Sequence, residues 1–155
     1  QITQSIAQIE LLEKHIAELD FTIESIMLEM NSIILTIPGI GSLNGAMILG
    51  EIGDVSRFSN SSKLLAYAGL DPTVNQSGKF NAKSTKMSKR GSKLLRYALI
   101  NAAWNVSLNN KSFDEYFKLK RSQGNNHYAA LGHTAHKLVR IIFKMLKDNI
   151  AFNLN

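Results

Sequence analysis

Cysteine is absent from the 155 residues, which removes disulfides, thiolate metal sites and cysteine nucleophiles together. That absence suits a reducing compartment. Proline occurs only as Pro38 and Pro72, so the residue that most disrupts helices is missing from long stretches. No apolar run approaches the roughly 18 residues a membrane-spanning helix requires. The chain starts QITQSIAQIE, with neither an initiator methionine nor a basic-then-apolar leader, and reads as a piece of a longer protein. What remains is ordinary: 45% hydrophobic and 19% charged residues exclude wholesale disorder or a fibrous repeat. The length fits one domain, or a small domain with an appendage.

Acid is missing where base is abundant. The net charge is +6, but residues 1–36 hold one base (Lys14) against six acids, a net −5. Between Asp71 and Asp114 there is no acidic residue, while Lys79, Lys83, Lys86, Lys89, Arg90, Lys93, Arg96 and Lys111 fall in that gap. A solubilising surface normally mixes both signs. A one-sign run of this length points to a polyanion, and nucleic acid is the partner that fits.

The acidic N-terminal stretch has its own pattern. Ile9, Leu12, Ile16, Leu19, Ile23, Ile26, Met30 and Ile33 follow a 3-4 spacing without a break, and Ile2 extends it backwards. This is a heptad repeat with Ile mostly at a and Leu or Ile at d. It predicts a coiled-coil helix over residues 1–36 that self-associates. Packing of one amphipathic helix on its own domain is the alternative. The helix is expected to stop before Pro38, which disfavours a helical Ile37.

The segment IPGIGSLNGAMILGEIGD follows. Gly39 and Gly41 permit a tight turn, Ser42 can cap a helix from about Leu43 to Glu51, and Gly45-Ala46 allow a close helix crossing. The pattern resembles a helix-hairpin-helix, whose backbone N–H groups can hold a nucleic-acid phosphate at a helix N-terminus without reading sequence. Downstream, Ser59 or Asn60 can cap a short helix ended by Gly69. Residues 70–87 read as a loop or short β-hairpin, and helices are expected at about Gly91–Asn109, Ser112–Arg121 and His127–Lys147. In the first of these, Leu94, Leu95, Ala98, Leu99, Ala102 and Val106 are expected to face the core, with Trp104 beside them. The fold class is mostly α: a long N-terminal helix, then a compact helical domain over residues 37–155 entered through the glycine corner.

In order, the chain shows the coiled coil, IPGIGSLNGAMILGEIGDVSRF, KLLAYAGLDPTVNQSGK and SKRGSKLLRYALINAAW. Together these resemble the C-terminal domain of the insertion-sequence 110/116 family of transposases, related to the pilin-gene invertases. The resemblance covers about Ile34 to Asp148. It implies a DNA recombinase working at DNA in a bacterial or archaeal cytoplasm. Its N-terminal RuvC-like domain, absent from this chain, would bind Mg2+ through four acids, and a structured guide RNA would choose the DNA. It also implies a serine nucleophile in the loop after the AGL segment, which points to Ser77 in NQSGK, with Ser88 in MSKRG second. A serine that attacks a phosphate needs an exposed hydroxyl, a route for its proton and cations on the phosphate oxygens. Lys79 supplies one such cation beside Ser77. This piece alone is not expected to cut and rejoin DNA. The rival is a non-catalytic dimeric module that grips DNA or RNA, and a purely structural oligomerisation domain is a third option.

Two further clusters are weaker. His133 and His136 can share a helical face near His127, but no carboxylate or cysteine accompanies them as a metal site would require. Asp114-Glu115 falls at a helix start, where the dipole favours acid.

Overall fold

The computed structural model describes residues 1–72, 76–77, 80–81 and 87–153; at residues 76, 77, 80 and 81 it describes the backbone alone. The fold is mostly helical. The elements are α1 (Ile2–Glu29), a 3₁₀ turn (Ile33–Thr36), α2 (Ser42–Ile52), a second 3₁₀ turn (Val55–Arg57) and α3 (Ser61–Tyr67). Then come β1 (Gln76–Ser77), β2 (Phe80–Asn81), α4 (Lys93–Asn109), α5 (Lys111–Ser122) and α6 (His127–Asp148).

The sequence chemistry of the caps explains where the later helices begin. Asn60, Ser92, Asn110 and Asn126 each accept a hydrogen bond from a backbone N–H in the first turn of α3, α4, α5 and α6. Such a cap is worth about 1 kcal/mol over alanine. Asn110 both ends α4 and caps α5, so one residue makes the corner. Asp114 and Glu115 sit in the opening turns of α5 and pair with Lys118 and Lys111 one turn away.

Helix α6 is the centre of the domain. Leu138, Val139, Ile142, Ala135 and Phe143 are buried along one side, and α6 packs against α3, α4, α5 and both 3₁₀ turns. Helix α4 buries Leu95, Ala98, Leu99, Ala102, Ala103 and Val106 against it. Helix α2 then covers α4 and meets α1. Buried hydroxyls are satisfied locally: Thr134 donates to the Ala130 carbonyl and Ser107 to that of Ala103. Among the described residues no buried side-chain N or O lacks a partner.

Three expectations change. Helix α1 ends at Glu29, well before Pro38, because Asn31 takes a left-handed backbone (φ 46°) that asparagine tolerates and most residues do not. The expected last turn is instead a 3₁₀ segment that buries Ile34 and delivers Ile37 to the core, so Ile33 leaves the heptad. Ser42 is not the cap of α2: Gly41 holds that position and no side chain caps the helix. Leu94 (47% exposed) and Trp104 (38%) lie outside the core. Helix α4 has neighbours on both flanks, and its buried stripe turns just past these two residues.

Helix α1 behaves as two parts. Met27 is buried and Ile23 half-buried against the domain, whereas Ile2, Ile9, Leu12, Ile16, Leu19 and Ile26 stay exposed. The intramolecular alternative would bury that stripe. At about 1.5 Å per residue, the 28-residue helix is about 42 Å long.

Candidate nucleic-acid interface and nucleophile

The site is organised by a backbone clamp. After α3, Gly69 (φ +65°) turns the chain, and residues 67–71 then run antiparallel to residues 88–92. The Ser92 N–H donates to the Tyr67 carbonyl at 2.7 Å, that of Lys89 to Gly69 at 3.0 Å and that of Ser88 to Asp71 at 2.8 Å. Pro72 and Met87 form the next bridge outward. Two glycines make this approach possible. A Cβ on Gly91 would stand 1.9 Å from the Tyr67 carbonyl oxygen, and one on Gly69 would stand 2.8 Å from the Gly91 nitrogen. The Arg96 guanidinium crosses over and donates to the Ala68 carbonyl at 3.1 Å.

Side chains reinforce the clamp. The Ser88 hydroxyl donates to an Asp71 carboxylate oxygen at 2.5 Å. The Ser92 hydroxyl donates to Glu51 on α2 at 2.6 Å while accepting from the Leu95 N–H at the start of α4. Clamp, α2 and α4 are thereby tied together.

Each expected site residue can now be placed. Ser77 lies in β1, its backbone paired with Phe80 across the antiparallel β1–β2 ladder. Both feet of that segment are held by the clamp. The side chain of Ser77, and Lys79, Lys83 and Lys86 entirely, lie outside the described residues. Lys89, Arg90 and Lys93 are exposed in succession along the clamp and the first turn of α4, with Lys89 in a left-handed conformation (φ 55°). Arg96 is half-buried and has a backbone carbonyl as partner. Ser88 is half-buried and hydrogen-bonded to a carboxylate. That contact resembles a hydroxyl with its general base, but Asp71 also places negative charge where a phosphate would have to approach.

The two corner glycines divide in role. Gly39 (φ +96°) packs on α4: a Cβ there would stand 2.6 Å from the Asn105 carbonyl. Gly41 is exposed, with nothing within 4 Å of a Cβ built on it. It opens the uncapped N-terminus of α2. The corner is entered from a 3₁₀ turn rather than from a second α-helix.

The histidines separate. His127 packs edge-on with Trp104 and Phe117, ring centroids 5.0 and 5.4 Å apart. His133 and His136 stand 6.3 Å apart on α6. Burial holds the His136 imidazole below its ordinary pKa, opposed in part by its hydrogen bond to Leu70. As neutral imidazole it donates from Nε2 to the Leu70 carbonyl at 2.6 Å, which locks α6 to the clamp. His133 is lowered by burial and by the nearby Lys120 charge. Among the described residues no three His, Asp or Glu side chains converge as metal ligands.

One feature was not legible in the sequence. Between the clamp and α6 lies a cleft of about 760 Å³ with Leu70, Pro72 and Met87 on one wall and Tyr128, Gly132 and Arg140 on the other. Its walls are about 40 or more positions apart in the chain, so no local pattern joins them.

The ordered glycines, clamp and α4 fall within residues 31–118, which match the transposase IS116/IS110/IS902 family. The chain belongs to that family. Among its relatives, the pilin gene-inverting protein of Moraxella bovis is 32% identical over 123 residues, covering 79% of this chain and 38% of that protein. The IS110 43.6 kDa protein of Streptomyces coelicolor is 27% identical over 119 residues, 77% of this chain and 29% of that one. The IS116 44.8 kDa protein of Streptomyces clavuligerus is 28% identical over 120 residues, 77% and 30%. The chain thus spans about a third of the length of these transposase-family relatives. Helix α6 lies beyond the matched residues but fills the core beneath them. Among the described residues no helix is long and apolar enough to cross a membrane.

Proposed function

We propose that this chain is the nucleic-acid-binding, nucleophile-bearing part of a DNA transposase or recombinase. The observation that carries the reading is the clamp, which fixes both feet of the Ser77 segment beside a run of cations. In the proposed step the Ser77 hydroxyl oxygen attacks a DNA phosphorus. The bond to one deoxyribose oxygen breaks, and that oxygen leaves as a hydroxyl with a proton equivalent to the one serine gives up. The phosphoserine ester keeps the bond energy, and attack by an incoming hydroxyl reseals the strand and frees the serine. Lys79 and the neighbouring cations would stabilise the charge developing on the phosphate. Exposed Gly41, at the uncapped start of α2, would hold a second backbone phosphate, while Gly39 serves the packing on α4.

Other parts of this reading concern the full-length protein. A RuvC-like domain would bind Mg2+, and a structured guide RNA would pair with DNA. Among the described residues of this chain no three His, Asp or Glu side chains converge as ligands for such ions. No step above is routed through a metal.

Salt-dependent binding tests the interface. Neutralising Lys86, Lys89, Arg90 and Lys93 together is expected to reduce the slope of log affinity against log salt by about 3 to 4 on duplex DNA. An unchanged slope would exclude this face. The rival non-catalytic module predicts the same loss but no covalent adduct in any form of the protein.

The exposed apolar stripe of α1 supports self-association through residues 1–36. Leu12→Asp with Leu19→Asp is expected to convert the chain to a monomer by sedimentation, with helical signal from the domain retained. A monomeric parent chain would reject the coiled coil.

A further inference from the structure

We infer that the cleft between α6 and the clamp receives one unpaired nucleotide of a bound strand, its base lying on Tyr128 and its phosphate between Lys89 and Arg140. The inference rests on the nucleic-acid reading above and adds a pocket to it.

Size is the first reason. About 760 Å³ falls within the usual range for small-ligand sites, roughly 300–1,000 Å³, and a duplex cannot enter a space of that size. Chemistry is the second. The clamp wall offers Pro72 and Met87 as apolar contact for a base, with Leu70 fully buried behind them, while Lys89 and Arg140 stand on opposite walls. Among the described residues neither cation has a carboxylate within ion-pair distance. Asp71, the acid of the clamp, keeps its charge while accepting a hydrogen bond from Ser88, but it does not line the cleft, so the two cations there outnumber the one neighbouring acid. The histidines on the α6 wall add no charge of either sign, since both are held below their ordinary pKa, mainly by burial, and His136 is occupied by the Leu70 carbonyl. The pocket is therefore complementary to an anion with an apolar, planar portion.

Tyr128 is the third reason. It is an aromatic residue left 76% exposed, on the first turn of a helix whose other large apolar side chains are mostly buried. Its ring has one aromatic neighbour, His127, in a T-shaped contact at 5.6 Å, and is otherwise open to solvent. Exposed aromatics beside cations are how single strands are held, since every base has a face that can stack. Gly132 keeps the space open: a Cβ there would stand 3.7 Å from the Met87 side chain, with nothing else near, so a longer side chain would grow into the cleft. A nucleotide seated here would lie against the feet of the Ser77 segment. One strand would then be held apart from its complement near the nucleophile.

The test uses fluorescence anisotropy of the 155-residue chain with a labelled single-stranded DNA, the RNA of the same sequence, and the DNA duplex. Tyr128→Ala and Gly132→Leu are expected to weaken single-strand binding about tenfold and to leave duplex binding within about twofold. Tyr128→Phe should restore the single-strand affinity, because stacking needs the ring and not the hydroxyl. Whichever of DNA or RNA loses affinity identifies the strand the cleft holds. Unchanged single-strand binding in Tyr128→Ala, or equal losses on single strand and duplex, would overturn the cleft while leaving the basic face intact. A parent chain that binds none of the three would overturn the wider reading as well.

Discussion

In the full-length transposase, Ser77→Ala is expected to reduce strand exchange by at least about a thousandfold, the scale on which removal of a covalent nucleophile acts. DNA affinity should stay within a few-fold, since binding is assigned to the cations and the corner. Denaturing gels of enzyme mixed with cleavable DNA provide the second readout: a protein–DNA adduct in the parent, and none in Ser77→Ala. Ser88→Ala is the comparison. Its hydroxyl is tied to Asp71, so its loss is expected to cost about 1–2 kcal/mol of stability and to lower exchange only through looser positioning of the hairpin. Full exchange and an intact adduct in Ser77→Ala, with both lost in Ser88→Ala, would transfer the nucleophile to Ser88. Asp71 would then be its proton acceptor.

The largest effect on stability is expected at Gly91. Alanine there would bring its Cβ to 1.9 Å from the Tyr67 carbonyl oxygen, a backbone atom that no rotamer change can move aside. Either the 2.7 Å bond from Ser92 to Tyr67 breaks or α4 shifts, and Ser92 carries both the cap of α4 and the link to Glu51. A loss of about 3–5 kcal/mol follows, read as a fall in melting temperature of about 10 °C or more. Gly50→Ala is the matched control. Gly50 is an exposed residue inside α2 with nothing within 4 Å of an added Cβ, so alanine there should stabilise by about 0.5–1 kcal/mol. Equal melting temperatures for Gly91→Ala and the parent would mean that the two backbone segments do not approach as described.

Both results turn on the same backbone crossing, and only half of it is visible in the sequence. Gly69 reads as a helix stop from its position after LLAYA, and its left-handed backbone agrees. Gly91 reads only as the first residue of a helix. Its stronger constraint, the Tyr67 carbonyl against its α-carbon, comes from a residue 24 positions earlier. Gly39 is similar: a hairpin glycine by motif, it is held by the Asn105 backbone of α4. A turn shows in local residue types, whereas a close approach depends on which element happens to cross.

Helix assignments followed the same division. Ser59 or Asn60 marks a helix start because a side-chain oxygen can meet a backbone N–H three residues on, a purely local event, and the structure uses Asn60. The heptad of α1 is equally local, and its stripe is continuous through Met30. Where α1 ends was not legible, since apolar Ile33 fits the repeat but packs against the core beside buried Ile34. Leu94 and Trp104 were misplaced for a related reason. Helix α4 is buried by α2 on one side and by α5 and α6 on the other, which spreads its apolar face and weakens the distinction between core and rim.

The sequence alone therefore determined the family, the helical class and the polarity of charge along the chain, because each resides in residue types and motifs read in order along it; Ser77 and Ser88 came as nucleophile candidates from the family resemblance. The tertiary structure decided the rest. It separated Gly39 from Gly41, gave Arg96 and Ser88 partners in the clamp, and set Tyr128 and Arg140 across from Lys89. Those relations join residues from distant parts of the chain, and they exist only once α6 has packed beneath the clamp and fixed the distance between them.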